Sequence, residues 1–236
     1  MTVGAGAGGE VGMNGRHDGG RGRWGCRLLG LALVLLLTVP ASRPATAQVA
    51  RSIGAVAELV GDCRVGRAGE AAAQPLEVGT ELYEGDRLST AADGRLKIEF
   101  VDGSVVQLGA GTELALDWFL HAPEEQTQNV VLRVSAGILR VIVRLVLPRS
   151  AYGVQTPTAA ASVRGTDWIL EATPDATAIV ALDGAVGVRN VDDGVPGEVV
   201  LGPGEGVTVE AGSPPPPPSV WGDARRESFI ARTAVP

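Results

Sequence analysis

Residues Arg95–Phe100 read RLKIEF, which places Leu96, Ile98 and Phe100 on one side of an extended chain and Arg95, Lys97 and Glu99 on the other. A two-residue period of this kind is the signature of a strand with one buried face. Asp102-Gly103 follows, a pair that tolerates positive φ at both positions and closes a tight hairpin, and residues 104–108 (SVVQL) supply the returning strand. No other feature constrains the fold as much, because the same grammar recurs along the chain.

Strands are predicted over 53–60, 86–90, 95–100, 104–108, 130–134, 138–147, 168–172, 178–182, 185–190, 198–201 and 206–209. Gly61-Asp62, Asp93-Gly94, Ala136-Gly137, Asp183-Gly184, Asp192-Asp193-Gly194 and Gly202-Pro203-Gly204 separate them. Residues 138–147 are apolar almost throughout, broken by Arg140 and Arg144, which implies burial on both faces. No window beyond residue 47 has a convincing 3.6-residue period. The expected class is all-β: many short strands in a β-sandwich or jelly-roll-like domain, or a β-solenoid-like one. No repeat of fixed length is present, which lowers a regular solenoid.

Composition agrees. Aromatic residues are 4% of the chain while glycines number 33, so the core is built from small and β-branched side chains, which suit strands and turns. Charge is uneven. Residues 1–47 hold five of the 20 basic and two of the 27 acidic residues, leaving 15 and 25 for residues 48–236, a balance of −10. An acidic body of this kind does not attract nucleic acid, which needs clustered Lys and Arg.

The N-terminal segment has the three parts of a secretory signal. Arg16, Arg21, Arg23 and Arg27 form a basic region, residues 28–39 (LLGLALVLLLTV) an apolar run of 12, and Ala45-Thr46-Ala47 a small-residue cleavage site. Twelve apolar residues fall short of the roughly 20 that span a bilayer. Cleavage is expected after Ala47, with a periplasmic or secreted product and no stable membrane span; the rival is an uncleaved anchor. Cys26 would leave with the signal, and Cys63, then alone, forms no intramolecular disulfide and is expected to pack as a small hydrophobe.

Four segments are expected: signal peptide 1–47, an all-β domain 48–211, a Pro-rich linker 212–218 and a C-terminal tail 219–236. Five consecutive prolines, 214–218, predict a stiff polyproline II spacer. The tail carries Trp221, Arg225, Arg226, Phe229 and Ile230 and is too short to fold alone; it either packs back on the domain or binds a partner, with Trp221 and Phe229 as the candidate contacts.

Catalytic equipment is sparse. His121 is the only histidine after residue 47 and is expected in an exposed loop near Glu124-Glu125. No G-x-S-x-G elbow or His-paired Cys is present, and one His with one Cys cannot supply a zinc site. Asp192-Asp193 lacks the ligand spacing of a twelve-residue calcium loop. A pair of carboxylates for glycan hydrolysis is the one enzymatic rival left by these residues. No catalytic residue, cofactor or metal ligand is assigned.

Four segments in order resemble the FecR-domain family: residues 79–90 (GTELYEGDRLST), residues 96–104 (LKIEFVDGS), residues 156–168 (TPTAAASVRGTDW) and residues 201–209 (LGPGEGVTV). The resemblance implies an all-β periplasmic module that passes a signal from an outer-membrane transporter toward a cytoplasmic sigma factor. This chain departs from that pattern in having no N-terminal stretch expected to hold a sigma factor, so a stand-alone exported version is expected. Within the segments, Arg164, Gly165, Thr166 and Trp168 are the candidate binding residues. The Arg164 fork either pairs with an acid such as Asp167 or faces a ligand. The expected role is a non-catalytic binding, signalling or scaffold module of the envelope, with a protein or an envelope polysaccharide as partner.

Overall fold

The chain divides into Met1–Ala47 and Gln48–Pro236. The computed structural model describes residues 51–144 and 147–235, so the expected signal, its cleavage site and Cys26 lie outside the described residues. Among the described residues seventeen strands, a single 3-10 turn (Pro123–Glu125) and one α-helix follow in order. The first nine strands are β1 (Gly54–Val60), β2 (Cys63–Gly66), β3 (Gln74–Pro75), β4 (Glu81–Leu82), β5 (Arg87–Thr90), β6 (Arg95–Phe100), β7 (Val105–Leu108), β8 (Glu113–Ala122) and β9 (Thr127–Ile142). Then come β10 (Arg149–Gln155), β11 (Ala159–Val163), β12 (Asp167–Ala172), β13 (Ala176–Asp183), β14 (Val186–Asn190), β15 (Glu198–Leu201), β16 (Glu205–Glu210), β17 (Ser219–Val220) and helix α1 (Asp223–Thr233). The fold is all-β.

The strands join into one hydrogen-bonded network that splits into two ladders at β9. The first runs β4-β1-β6-β7-β9-β12-β13-β16-β17 and uses the C-terminal part of β9, residues 137–142. The second runs β3-β2-β5-β8-β9-β10-β11-β14-β15 and uses residues 127–136. Among the described residues only the β9–β10 pairing is parallel. A single core cluster draws on both ladders, from Leu96, Ile98, Leu139 and Leu170 on one and Leu88, Leu114, Leu132 and Val188 on the other. Alternating side chains of two facing sheets thus close over one core, as in a sandwich.

Several sequence expectations need correction. Ala136-Gly137 is not a turn between two strands. It is the crossing point inside β9, where Gly137 takes φ +99° and a Cβ would sit 2.4 Å from Thr112. His121 is in no loop; it lies half-buried on β8, opposite Gln128. A register shift between Leu116 and Trp118 breaks the alternation of β8 and hides it in the sequence. The absence of any 3.6-residue period is contradicted by α1. The prolines do not hold the tail at a distance: after them β17 pairs back on β16, with Gly206 opposite Ser219.

The tail takes the first of its two expected alternatives and packs on the outer face of the first sheet. Trp221 and Phe229 bury against Ile138, Ile169 and Val180, flanked by Ala178, Leu182 and Ile230. The near-continuous apolarity of the second half of β9 follows: Leu139 and Val141 face the core while Ile138 faces the tail. Two glycines make the seat. A Cβ on Gly206 would lie 2.3 Å from the Trp221 indole, and one on Gly109 would lie 2.6 Å from the Arg232 carbonyl oxygen. Arg95 donates to the carbonyls of Ala231 and Ala234 at the end of α1, where a cation is favoured.

Candidate functional site

The segment Val163-Arg164-Gly165-Thr166-Asp167-Trp168 carries the chain from the second sheet (β11) to the first (β12). Gly165 has φ +63°, and its carbonyl lies 2.6 Å from where a Cβ of Gly184, itself at φ +77°, would be. Two glycine turns therefore nest, each one a crossing between sheets. Thr166 is buried and fastens them: its hydroxyl donates to the Ala185 carbonyl at 3.0 Å, and its carbonyl accepts from the Val143 amide at 3.0 Å. Trp168 is fully buried in the core, with no hydrogen-bond partner for its indole N–H among the described residues.

Arg164 is exposed and donates to the Pro148 carbonyl at 3.2 Å. Asp167 is occupied elsewhere, by a two-pronged pair with Arg140 at 2.9 and 2.6 Å. Of the four motif residues, then, Gly165, Thr166 and Trp168 hold the crossing together, and Arg164 alone faces solvent. The Asp-Gly-Ser turn is also more than a turn. Asp102 is buried and accepts from the Ser104 amide and hydroxyl at 2.9 and 2.6 Å and from the Gln128 side-chain amide. Burial, with the nearby Asp102 charge, pushes the Tyr152 phenol far up. Cys63 is buried, its thiol directed at the Val60 and Arg95 carbonyls and pushed up by burial and by Asp62.

With the tail over the first sheet, the outer face of the second is the open one. One cross-strand row runs Trp118, Val131, Gly153, Ser162, Gly187, Val200 over β8, β9, β10, β11, β14 and β15. Trp118 is 47% exposed and Val200 62%. Between them lie two hollows of about 440 and 250 Å³ that share Val131, Gly153, Ser162 and Gly187 and so form one trough. Arg164 and Asn129 line one end; Gln155, Arg189 and Glu198 line the other. Sequence reasoning reached Arg164 but missed the trough, because its strands, β10 and β11, are rich in Ala, Ser and Gly and give no apolar alternation. Among the described residues no group of three His, Cys, Asp or Glu could hold a metal, and no helix is long and apolar enough to cross a membrane.

Residues 86–187 match the profile of the FecR protein family. Over that span the chain is similar to a FecR domain. Its matched span starts at Asp86, just before β5, and ends at Gly187 in the trough, so it takes in β9 and the Arg164–Thr166 crossing. Two solved structures of a candidate anti-sigma factor from Parabacteroides distasonis, at 1.65 and 2.50 Å resolution, are similar, each with TM-score 0.49 and 16% identity. The alignments cover 61% of this chain and 64% and 63% of those chains, so the chain spans less than two thirds of their length. A comparison with curated proteins gave no match. Arg164 and the trough share one surface, outside the core that Thr166 and Trp168 help to build.

Proposed function

We propose that the protein is exported and serves as a non-catalytic signalling module of the cell envelope, its FecR-like domain binding a macromolecule. The observation that carries this reading is the asymmetry of the two sheets: the chain's own tail packs on the outer face of one, over β9, β12, β13 and β16, and the other presents an open trough beside Arg164. The FecR profile supports the signalling role, and the basic, apolar and small-residue parts of residues 16–47 support export.

The test has two arms on protein expressed in full with its native leader. Fractionation followed by intact mass is expected to find a chain starting at Gln48 in the soluble envelope or the medium. An intact N-terminus in the membrane fraction would replace the exported reading by a membrane-tethered one. Capture from envelope extract is expected to recover one specific partner, lost when Arg164 and Trp118 are both replaced by Ala. Equal recovery by that variant would remove the open sheet face as the binding surface.

A further inference from the structure

Glycine inside a strand weakens it, by roughly 0.5–1 kcal/mol relative to Ala, so each such glycine needs a cause. Gly54 and Gly206 have one: a Cβ would meet the Glu99 carbonyl at 2.7 Å and the Trp221 indole at 2.3 Å. Gly153 has none within the fold. It is not among the positive-φ glycines, and a Cβ there would have only ordinary contacts, at 3.8 Å to the Ala161 oxygen and 3.9 Å to the Val130 oxygen. Gly187 is crowded only by the movable ends of Glu198 and Ser162, each at 2.9 Å. A strand glycine without an internal reason marks a place where something outside approaches the backbone. Gly153, Ser162 and Gly187 sit side by side across about 10 Å, at two strand spacings; the space over Gly153 is open, and the Glu198 carboxylate and the Ser162 hydroxyl reach over Gly187.

Charge selects among visitors. Residues 48–236 carry −10, yet the Arg164 end of the trough is basic. Arg164 is exposed there, with Asn129 beside it, and it pairs with no carboxylate among the described residues. At the far end the charges are already matched, Arg189 on Asp193 at 2.7 Å with Glu198 alongside. The floor offers hydroxyl and amide groups, from Ser162, Asn129 and Gln155, rather than apolar pockets for inserted side chains. Trp118 stands exposed at the margin as a flat aromatic surface.

From this combination we infer that the trough binds an acidic polysaccharide strand, with a carboxylate of the sugar chain on the Arg164 fork and a ring over Gly153. A planar fork matches carboxylate geometry, and a shallow floor opened by Gly153 and edged with polar side chains admits a single extended polymer. The inference rests on the proposed binding module and names its ligand class.

The probe is polygalacturonate, with neutral dextran as control, titrated into the protein purified as processed from its full-length form. Polygalacturonate is expected to bind and dextran to bind at least tenfold more weakly, with affinity falling as salt is raised. Gly153→Val, which adds a good strand former into open space, is expected to weaken binding at least tenfold while its melting temperature holds or rises. Arg164→Glu is expected to do the same and to abolish the preference over dextran. No binding by the wild type, equal binding of dextran, or unchanged binding by a folded Gly153→Val variant would each overturn the inference. If polygalacturonate fails while Gly153→Val still abolishes capture of a protein from envelope extract, the binding module stands and the polysaccharide is wrong.

Discussion

Trp221 covers Gly206 so closely that a Cβ at position 206 would lie 2.3 Å from the indole. Arg225 stacks on the outer side of the same ring at 3.4 Å, and Phe229 meets it edge-on with centroids 5.2 Å apart. The indole is thus clamped between a strand and a helix and fastens the last turn of chain to the first sheet.

Replacing Gly206 by Ala should therefore act on the tail. The added methyl collides with a ring that has no room to retreat, and overpacking of this kind costs about 1–3 kcal/mol. Thermal melting of Gly206→Ala is expected to drop by several degrees. Limited proteolysis is expected to cut first between residues 212 and 222. An unchanged melting curve would mean that the tail contributes little to the fold.

Trp221→Ala removes the anchor itself. Truncating a buried Trp costs about 3–5 kcal/mol, and Ile138, Ile169 and Val180 would lose their cover. Denaturant titration is expected to show that loss, together with increased binding of an apolar dye. Dye binding equal to wild type would contradict the packing described.

How much of this was legible follows from particular residues. β6, β7 and the last strands were readable because polar and apolar residues alternate cleanly and Asp-Gly marks the turns. β10 and β11 were not, since Ala, Ser and Gly carry no side signal. β8 was masked by its register shift. The tail's docking has a signal in the apolar run 138–147, whose burial on both faces needs a second cover; Trp221 and Phe229 supply it for Ile138. In α1 the apolar residues Ala224, Phe229, Ile230 and Ala231 are too few over eleven residues to register as a period, and tertiary contact supplies what propensity does not. For the site, Arg164 was legible as an unusual arginine in a turn. The trough needed the cross-strand register of five pairings, which no single segment contains.

Asp167 and Arg140 form a pair with both side chains mostly withdrawn from water, at 23% and 20% exposure. Asp167→Asn removes the charge and leaves the guanidinium with poor solvation. A charge-assisted hydrogen bond in such a setting is worth about 1.5–3 kcal/mol. The expected loss is in that range by denaturant titration, and the Asp167→Asn, Arg140→Gln double variant should lose less than the sum of the singles. Strict additivity would mean that the two do not interact energetically.

Asp86 gives the pH prediction. It is buried below Tyr83, whose amide donates to it at 2.9 Å, with the Arg67 guanidinium 3.9 Å away. Burial outweighs both and holds its carboxyl above the usual carboxylate range. The folded state thus keeps this proton to a higher pH than the unfolded chain does. Between the unfolded and folded pKa values the native state binds more protons, so this group's contribution to stability falls as pH rises through that window and stays low above it. Asp86→Asn keeps an oxygen to accept from Tyr83 and deletes the buried charge. The variant is expected to be at least as stable as wild type at pH 7, with the difference shrinking as pH is lowered below the unfolded carboxylate pKa of about 3.9. Denaturant midpoints for both proteins from pH 7 to pH 3 measure this directly. A variant less stable than wild type at pH 7 would show that the Arg67 contact and the Tyr83 hydrogen bond, rather than burial, set the energy of this carboxylate.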